Sequence, residues 1–133
     1  NKNIESKNID FSKYKESKLF DYVYSISVIE HMPRKIRVKV LQKASKILIK
    51  GGAILLTIDL IPNTENLWNL SEDKEVEPIE EHGDITTFKQ ELIDCGFEIS
   101  GEHVQKNIKD SRTDVYYLKA ILKRKSFFKS LFK

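Results

Sequence analysis

Cysteine, proline, glycine and long apolar runs are all scarce in this chain. Its 133 residues include one cysteine, three prolines and five glycines. A lone Cys95 excludes an internal disulfide and any zinc site built from cysteines alone. No stretch reaches the ~18 consecutive apolar residues of a membrane-spanning helix, and the opening NKNIESKNID has no apolar signal core. A cytoplasmic location is the expectation. None of the glycines Gly51, Gly52, Gly83, Gly96 and Gly101 forms a G-x-G pair, so no glycine-rich phosphate loop lies within these residues.

Charge of one sign is missing from one segment. Lys119 to Lys133 holds six Lys/Arg and no acid, and the remainder has 17 basic against 20 acidic residues. The formal net charge of +3 therefore describes a basic tail rather than a basic body, and no nucleic-acid partner is expected. Phe127, Phe128, Leu131 and Phe132 alternate with lysines in that tail. Residues 124–133 read as an amphipathic segment for peripheral membrane contact, or equally as a cover for the domain's own apolar surface. The chain opens at Asn1 without a complete element, so a longer parent is expected.

What is present is one strongly patterned stretch, Phe20 to Leu60. Phe20 to Ile26 is nearly continuous in aromatic and β-branched residues, which predicts a parallel strand covered on both faces. Pro33 suits the first turn of a helix. Ile36, Val40, Leu41, Ala44, Ile47 and Leu48 then recur at helical spacing, with Arg34, Lys35, Arg37, Lys39 and Lys43 around the other face. Gly51-Gly52 is the expected helix stop. Ala53 to Leu60 is a second buried-type strand, which completes a βαβ unit.

Residues 61–84 carry eight acids and a single base, Lys74, and read as an irregular insertion, or lid, over one end of the sheet. Thr87-x-x-Gln90 resembles a capping box. The helix it opens should turn Phe88, Leu92, Ile93 and Cys95 inward and stop at Gly96. Phe97–Val104 and Val115–Leu122 read as strands joined by a polar turn, hence antiparallel.

These residues carry a resemblance. FDYVYSISVIEHMP, a helix, and LIKGGAILLTIDLIP resemble the second half of the class I S-adenosylmethionine-dependent methyltransferases, and Leu92-Ile-Asp-Cys-Gly-Phe97 is similar to their approach to the sixth strand. The fold class implied is α/β, a partial Rossmann-like sheet of parallel strands closed by an antiparallel hairpin. An NAD-type sheet, parallel to its end, fits less well. Residues 1–123 would form the C-terminal portion of such a domain. The glycine loop for the cofactor's methionine part and the acidic ribose-binding residue are not found. The resemblance implies methyl transfer from S-adenosylmethionine to an oxygen or nitrogen of a small molecule or sugar. A non-catalytic half-domain that pairs with a partner chain is the alternative.

Carried over residue by residue, the resemblance sets Ile9 and Asp10 at the adenine, and Ser25 and Ile26 against the cofactor. Ser27 and Asp59 face the substrate. An aspartate in a polar loop can equally cap a turn. In Glu30-His31, the imidazole can take a proton from the methyl acceptor, or Glu30 can simply favour a helix start. Some relatives carry E-x-x-E-H, which can hold a divalent metal. Here Ser27 stands at the first position, two ligands rarely suffice, and no metal is expected. His82 reads as a solvated loop residue and His103 as structural.

Overall fold

The protein is described from a computed structural model that covers residues 4–15, 18–106 and 113–124. The run Phe20–Ile26 forms strand β1. Helix α1 (Arg34–Ile47) follows, then strand β2 (Leu48–Leu60). A short hairpin, β3 (Leu70–Ser71) and β4 (Lys74–Glu75), leads to the one-turn helix α2 (Ile79–His82) and to helix α3 (Ile85–Asp94). Strands β5 (Phe97–Gln105) and β6 (Asp114–Leu122) close the chain.

The main sheet runs β1-β2-β6-β5. β1 and β2 are parallel, whereas β6 is antiparallel to both β2 and β5. The α/β class and the closing antiparallel hairpin thus match the expectation. Ile54, Leu56, Ile58 and Leu60 of β2 align with Ala120, Leu118, Tyr116 and Asp114 of β6, so the period of two puts them on one face. That face is buried under Val40, Leu41 and Ala44 of α1 and Phe88 and Leu92 of α3. None of the described helices is long and apolar enough to cross a membrane.

Five expectations need correction. β1 is not covered on both faces. Among the described residues, helices lie on one face only, and Tyr22, Tyr24 and Ile26 are 60%, 70% and 67% exposed on the other. β1 is also the sheet's edge strand among the described residues.

Gly51-Gly52 does not cap α1. The helix ends at Ile47, and the glycines lie within β2, where Phe20↔Leu48 gives way to Tyr22↔Ala53. Between those two pairs, the four residues Ile49 to Gly52 of β2 face the single Asp21 of β1. Gly51 takes a φ of +87°, and a Cβ on Gly52 would come within 2.9 Å of the Asp21 carbonyl oxygen. Glycine is required by this bulge rather than by the helix end.

The N-cap of α3 is Asp84, whose carboxylate accepts from the Thr87 N–H at 2.9 Å, so Thr87 lies inside the helix. Ile36 and Ile93, expected to face inward, are 40% and 44% exposed.

Arg37 is not on the polar face of α1 but completely buried. Its Nε and Nη2 donate to Glu91 Oε1 and Oε2 at 2.8 and 2.7 Å, and Arg34 Nε adds 2.9 Å to Glu91 Oε2. This two-pronged pair joins α1 to α3. Residues 125–133, which carry the membrane reading of the tail, lie outside the described residues, as do 107–112 of the last turn.

Two stability outcomes follow from this packing. Arg37→Ala, which strands the Glu91 carboxylate in the interior, should lose about 3–5 kcal/mol in urea unfolding, and the double variant Arg37→Met/Glu91→Leu should lose far less. Equal losses in the two proteins would contradict a cost that comes from an unpaired buried charge. Gly96 has a φ of +98°, and a Cβ there would collide with the Arg124 carbonyl oxygen. Gly96→Ala should therefore cost about 1–3 kcal/mol, read as a fall in thermal midpoint.

Candidate functional site

Parallel strands bring their carboxyl ends to the same edge of the sheet, and two segments with chemistry meet there. β1 stops because Ser27 leaves the extended conformation. Its φ is +52°, a left-handed value that costs a non-glycine residue about 1 kcal/mol or more. The Ser27 N–H still reaches β2, donating to Thr57 O at 2.9 Å and to Thr57 Oγ1 at 3.0 Å. The turn aims the Ser27 hydroxyl at Asp59, to whose Oδ1 it donates at 3.0 Å. A 3-10 turn, Ile29–His31, then leads into α1.

Glu30 lies fully buried in that turn. Its Oε2 accepts the Asp59 backbone N–H at 2.7 Å, which couples the loop after β1 to the end of β2. Its Oε1 is buried and accepts no hydrogen bond from another residue among the described ones. Burial pushes the Glu30 carboxyl up to about 7, against the pull of the Asp59 N–H; the neighbouring Asp59 charge adds to the rise.

His31 closes the cluster. Its Nδ1 sits 3.1 Å from the Leu70 carbonyl oxygen, which can only accept, so Nδ1 carries the hydrogen. In the neutral ring Nε2 then presents a lone pair. That atom is 3.8 Å from Glu30 Oε2 and 3.8 Å from Asp59 Oδ2, with about a third of the side chain exposed. Four residues named from the sequence, Ser27, Glu30, His31 and Asp59, are thus brought into one cluster at the strand ends.

His82 overturns its expectation. It is completely buried rather than solvated. Nε2 faces the carbonyl oxygens of Glu30 at 2.7 Å and Trp68 at 2.9 Å, and Nδ1 faces Glu77 Oε2. Glu77 Oε2 also accepts the Arg34 N–H at the start of α1. The insertion is therefore pinned to the Glu30 loop and packs over the strand ends. A buried imidazole with acceptors at both nitrogens was not readable from Glu80-Glu81-His82-Gly83. The signal present was the apolar pair Leu67 and Trp68, which predicts packing for the insertion but not its partner.

The residues assigned to a cofactor are less tightly gathered. Asp10 is fully exposed and caps the 3-10 turn Phe11–Lys13, accepting from Ser12 Oγ at 2.8 Å and Ser12 N at 3.0 Å. The Ser12 side chain and N–H together hold its carboxyl below the ordinary carboxylate value. Ile9 is 53% exposed. Phe11, next to Asp10, lines a shallow hollow of about 180 Å³ with Val23, Ser25, Met32 and Ile54. Ser25 thus shares a hollow with the Asp10 segment. Ile26 points to the opposite, open face of β1. His103, on β5, is exposed and stacks on Tyr117.

No protein-family model and no curated protein matches this sequence. Solved structures do match. The glycopeptide N-methyltransferase MtfA, solved with S-adenosyl-L-methionine, aligns at a TM-score of 0.59 and 16% identity, over 85% of this chain and 58% of its own. The N-methyltransferase NodS from Bradyrhizobium japonicum WM9, solved with S-adenosyl-L-homocysteine, aligns at 0.61 and 11% identity, over 87% and 53%. A SAM-dependent methyltransferase from Methanosarcina mazei aligns at 0.63 and 16%, over 86% and 65%. The chain thus spans little more than half the length of the first two. Over the share that it spans, this chain has the Rossmann-like fold of the S-adenosylmethionine-dependent methyltransferases.

Proposed function

We propose that residues 1–123 are the C-terminal portion of a methyltransferase domain. In the whole protein that domain transfers a methyl group from S-adenosylmethionine to an oxygen or nitrogen of a small molecule or sugar. The observation that carries this reading is the cluster of Ser27, Glu30, His31 and Asp59 at the carboxyl ends of two parallel strands, in a fold shared with structures solved with that cofactor. Ligands of open α/β sheets sit at such strand ends.

The residues present fit one side of the cofactor. The apolar hollow beside Ser25 suits a ring, and the exposed Asp10 carboxylate can accept from an exocyclic amino group. Ile9, more than half exposed, is free to pack on it, whereas Ile26 faces the other side of β1 and is not part of that hollow. When bound, S-adenosylmethionine supplies a methyl group on a sulfonium that leaves readily, so the chain's task is orientation of the acceptor at about 3–3.5 Å. Ser27 and Asp59 hold the acceptor. His31 Nε2 takes the proton that the acceptor releases, and buried Glu30 fixes the loop that carries His31. The insertion 61–84 serves as a lid, pinned by His82.

A second reading is favoured by one observation. Tyr22, Tyr24 and Ile26 form an open apolar row on an edge strand, which invites pairing with another polypeptide. Size-exclusion chromatography with light scattering checks it: a concentration-dependent dimer of the 133-residue chain is expected, and a monomer at all concentrations removes this reading.

For the first reading, calorimetric titration of the full-length protein with S-adenosylhomocysteine should show saturable binding, weakened roughly fivefold in Asp10→Ala. Absence of any binding by the full-length protein would sink it. His31→Ala should lower methyl transfer by about a hundredfold with unchanged S-adenosylhomocysteine affinity; an unaltered rate would remove His31 from the chemistry.

A further inference from the structure

The Glu30–His31–Asp59 cluster has a mismatch that proton chemistry does not resolve. Its outer atoms are satisfied. Glu30 Oε2 holds the Asp59 N–H, Asp59 Oδ1 holds the Ser27 hydroxyl, and His31 Nδ1–H points at the Leu70 carbonyl. Its inner side keeps unused lone pairs. Glu30 Oε2, which has a second lone pair beside its bond to the Asp59 N–H, and Asp59 Oδ2 each lie 3.8 Å from His31 Nε2, and all three are acceptors when the ring is neutral and both carboxyls are ionised. Protonating Nε2 does not repair this, because the nearest oxygens are 3.8 Å away, too far for a hydrogen bond. A further sign is the second oxygen of Glu30, which is buried and accepts no hydrogen bond from another residue among the described ones.

We propose that Glu30, His31 and Asp59 bind a divalent first-row transition cation at the carboxyl ends of β1 and β2. A cation about 2.0–2.2 Å from nitrogen and oxygen donors separates adjacent donors by about 3.0–3.6 Å. The observed 3.8 Å spacings need to close by only a few tenths of an ångström or so. The Leu70 carbonyl fixes the tautomer with Nε2 free, the outer contact that metal-binding imidazoles generally make. Two carboxylates and one imidazole suit ions of the manganese-to-zinc range rather than a thiophilic ion.

The site explains why Ser27 does not leave the loop short of a ligand. The third ligand comes from Asp59, on a different strand, and Ser27 orients it through its hydroxyl. His31 and Asp59 are part-exposed, so the cation is reached from the crevice and keeps positions open to an oxygen ligand. Under the methyltransferase reading, on which this one step rests, such an ion would hold a hydroxyl acceptor and ease its loss of a proton to solvent, in place of proton transfer to His31, whose Nε2 lone pair it would occupy. Cation binding itself does not depend on that reading.

The test uses metal-stripped protein and Zn²⁺ and Mn²⁺ as probes, with no methyl-transfer assay. Calorimetry should show saturable binding of one Zn²⁺ per chain, weakened about tenfold or more by Asp59→Asn and by His31→Gln, and unchanged by His103→Gln on β5. Mn²⁺ added to the unmutated protein should selectively broaden amide signals of residues 27–31 and 57–60, which gives an answer even where a variant folds poorly. No saturable binding, an affinity indifferent to Asp59→Asn, or broadening centred elsewhere would overturn the proposal. Binding that persists while the protein fails to bind S-adenosylhomocysteine would keep the cation site and discard the methyltransferase reading.

Discussion

A single buried carboxylate ties the two parallel strands together where it matters. Glu30 lies in the loop that leaves β1, and its Oε2 accepts the backbone N–H of Asp59 near the end of β2. Removing a carboxylate from water is expensive, and this one has only partial compensation, since Oε1 accepts from no other residue among the described ones. The unfavourable burial shows in the raised proton affinity of the group. The cost is held in place by what surrounds it. Ile29 is buried beside it, and its own backbone carbonyl is held by His82. Four segments thereby converge on one loop: the end of β1, the end of β2, the insertion and, through Glu77, the first turn of α1.

The rest of the fold explains why that loop is accessible. Both longer helices lie on one face of the sheet and are fastened to each other by the Arg37–Glu91 pair. The opposite face shows Tyr22, Tyr24 and Ile26 to solvent. A strand as apolar as β1 is unusual at the edge of a sheet, which is its place among the described residues. The insertion is pinned above the strand ends by His82.

Much of the architecture was legible from local pattern. The limits of β1 came from an apolar run bounded by charge and serine. The interior of α1 came from its 3.6-residue period, and the closing hairpin from two strands without an intervening helix. Errors clustered where a residue's neighbour is distant in sequence. Arg37 falls on the charged side of a helical projection, yet it is buried, because Glu91 is 54 residues further on and meets it. Gly51-Gly52 has the look of a helix stop, but it serves the approach of β2 to Asp21.

The candidate site divides along the same line. Local pattern is enough to bring Ser27, Glu30, His31 and Asp59 to the strand ends, through strand limits and a two-residue period. The residue types, and so the donors present, are likewise read directly from the chain. How those donors face each other depends on contacts distant in sequence. The meeting of Asp59 with Glu30 comes from parallel pairing of β1 with β2, whereas the His31 tautomer is set by Leu70, 39 residues further on in the docked insertion. His82 is the extreme case. Whether an imidazole in an acidic loop meets water or three protein acceptors depends on where the loop docks, and docking is set by the packed core beneath it.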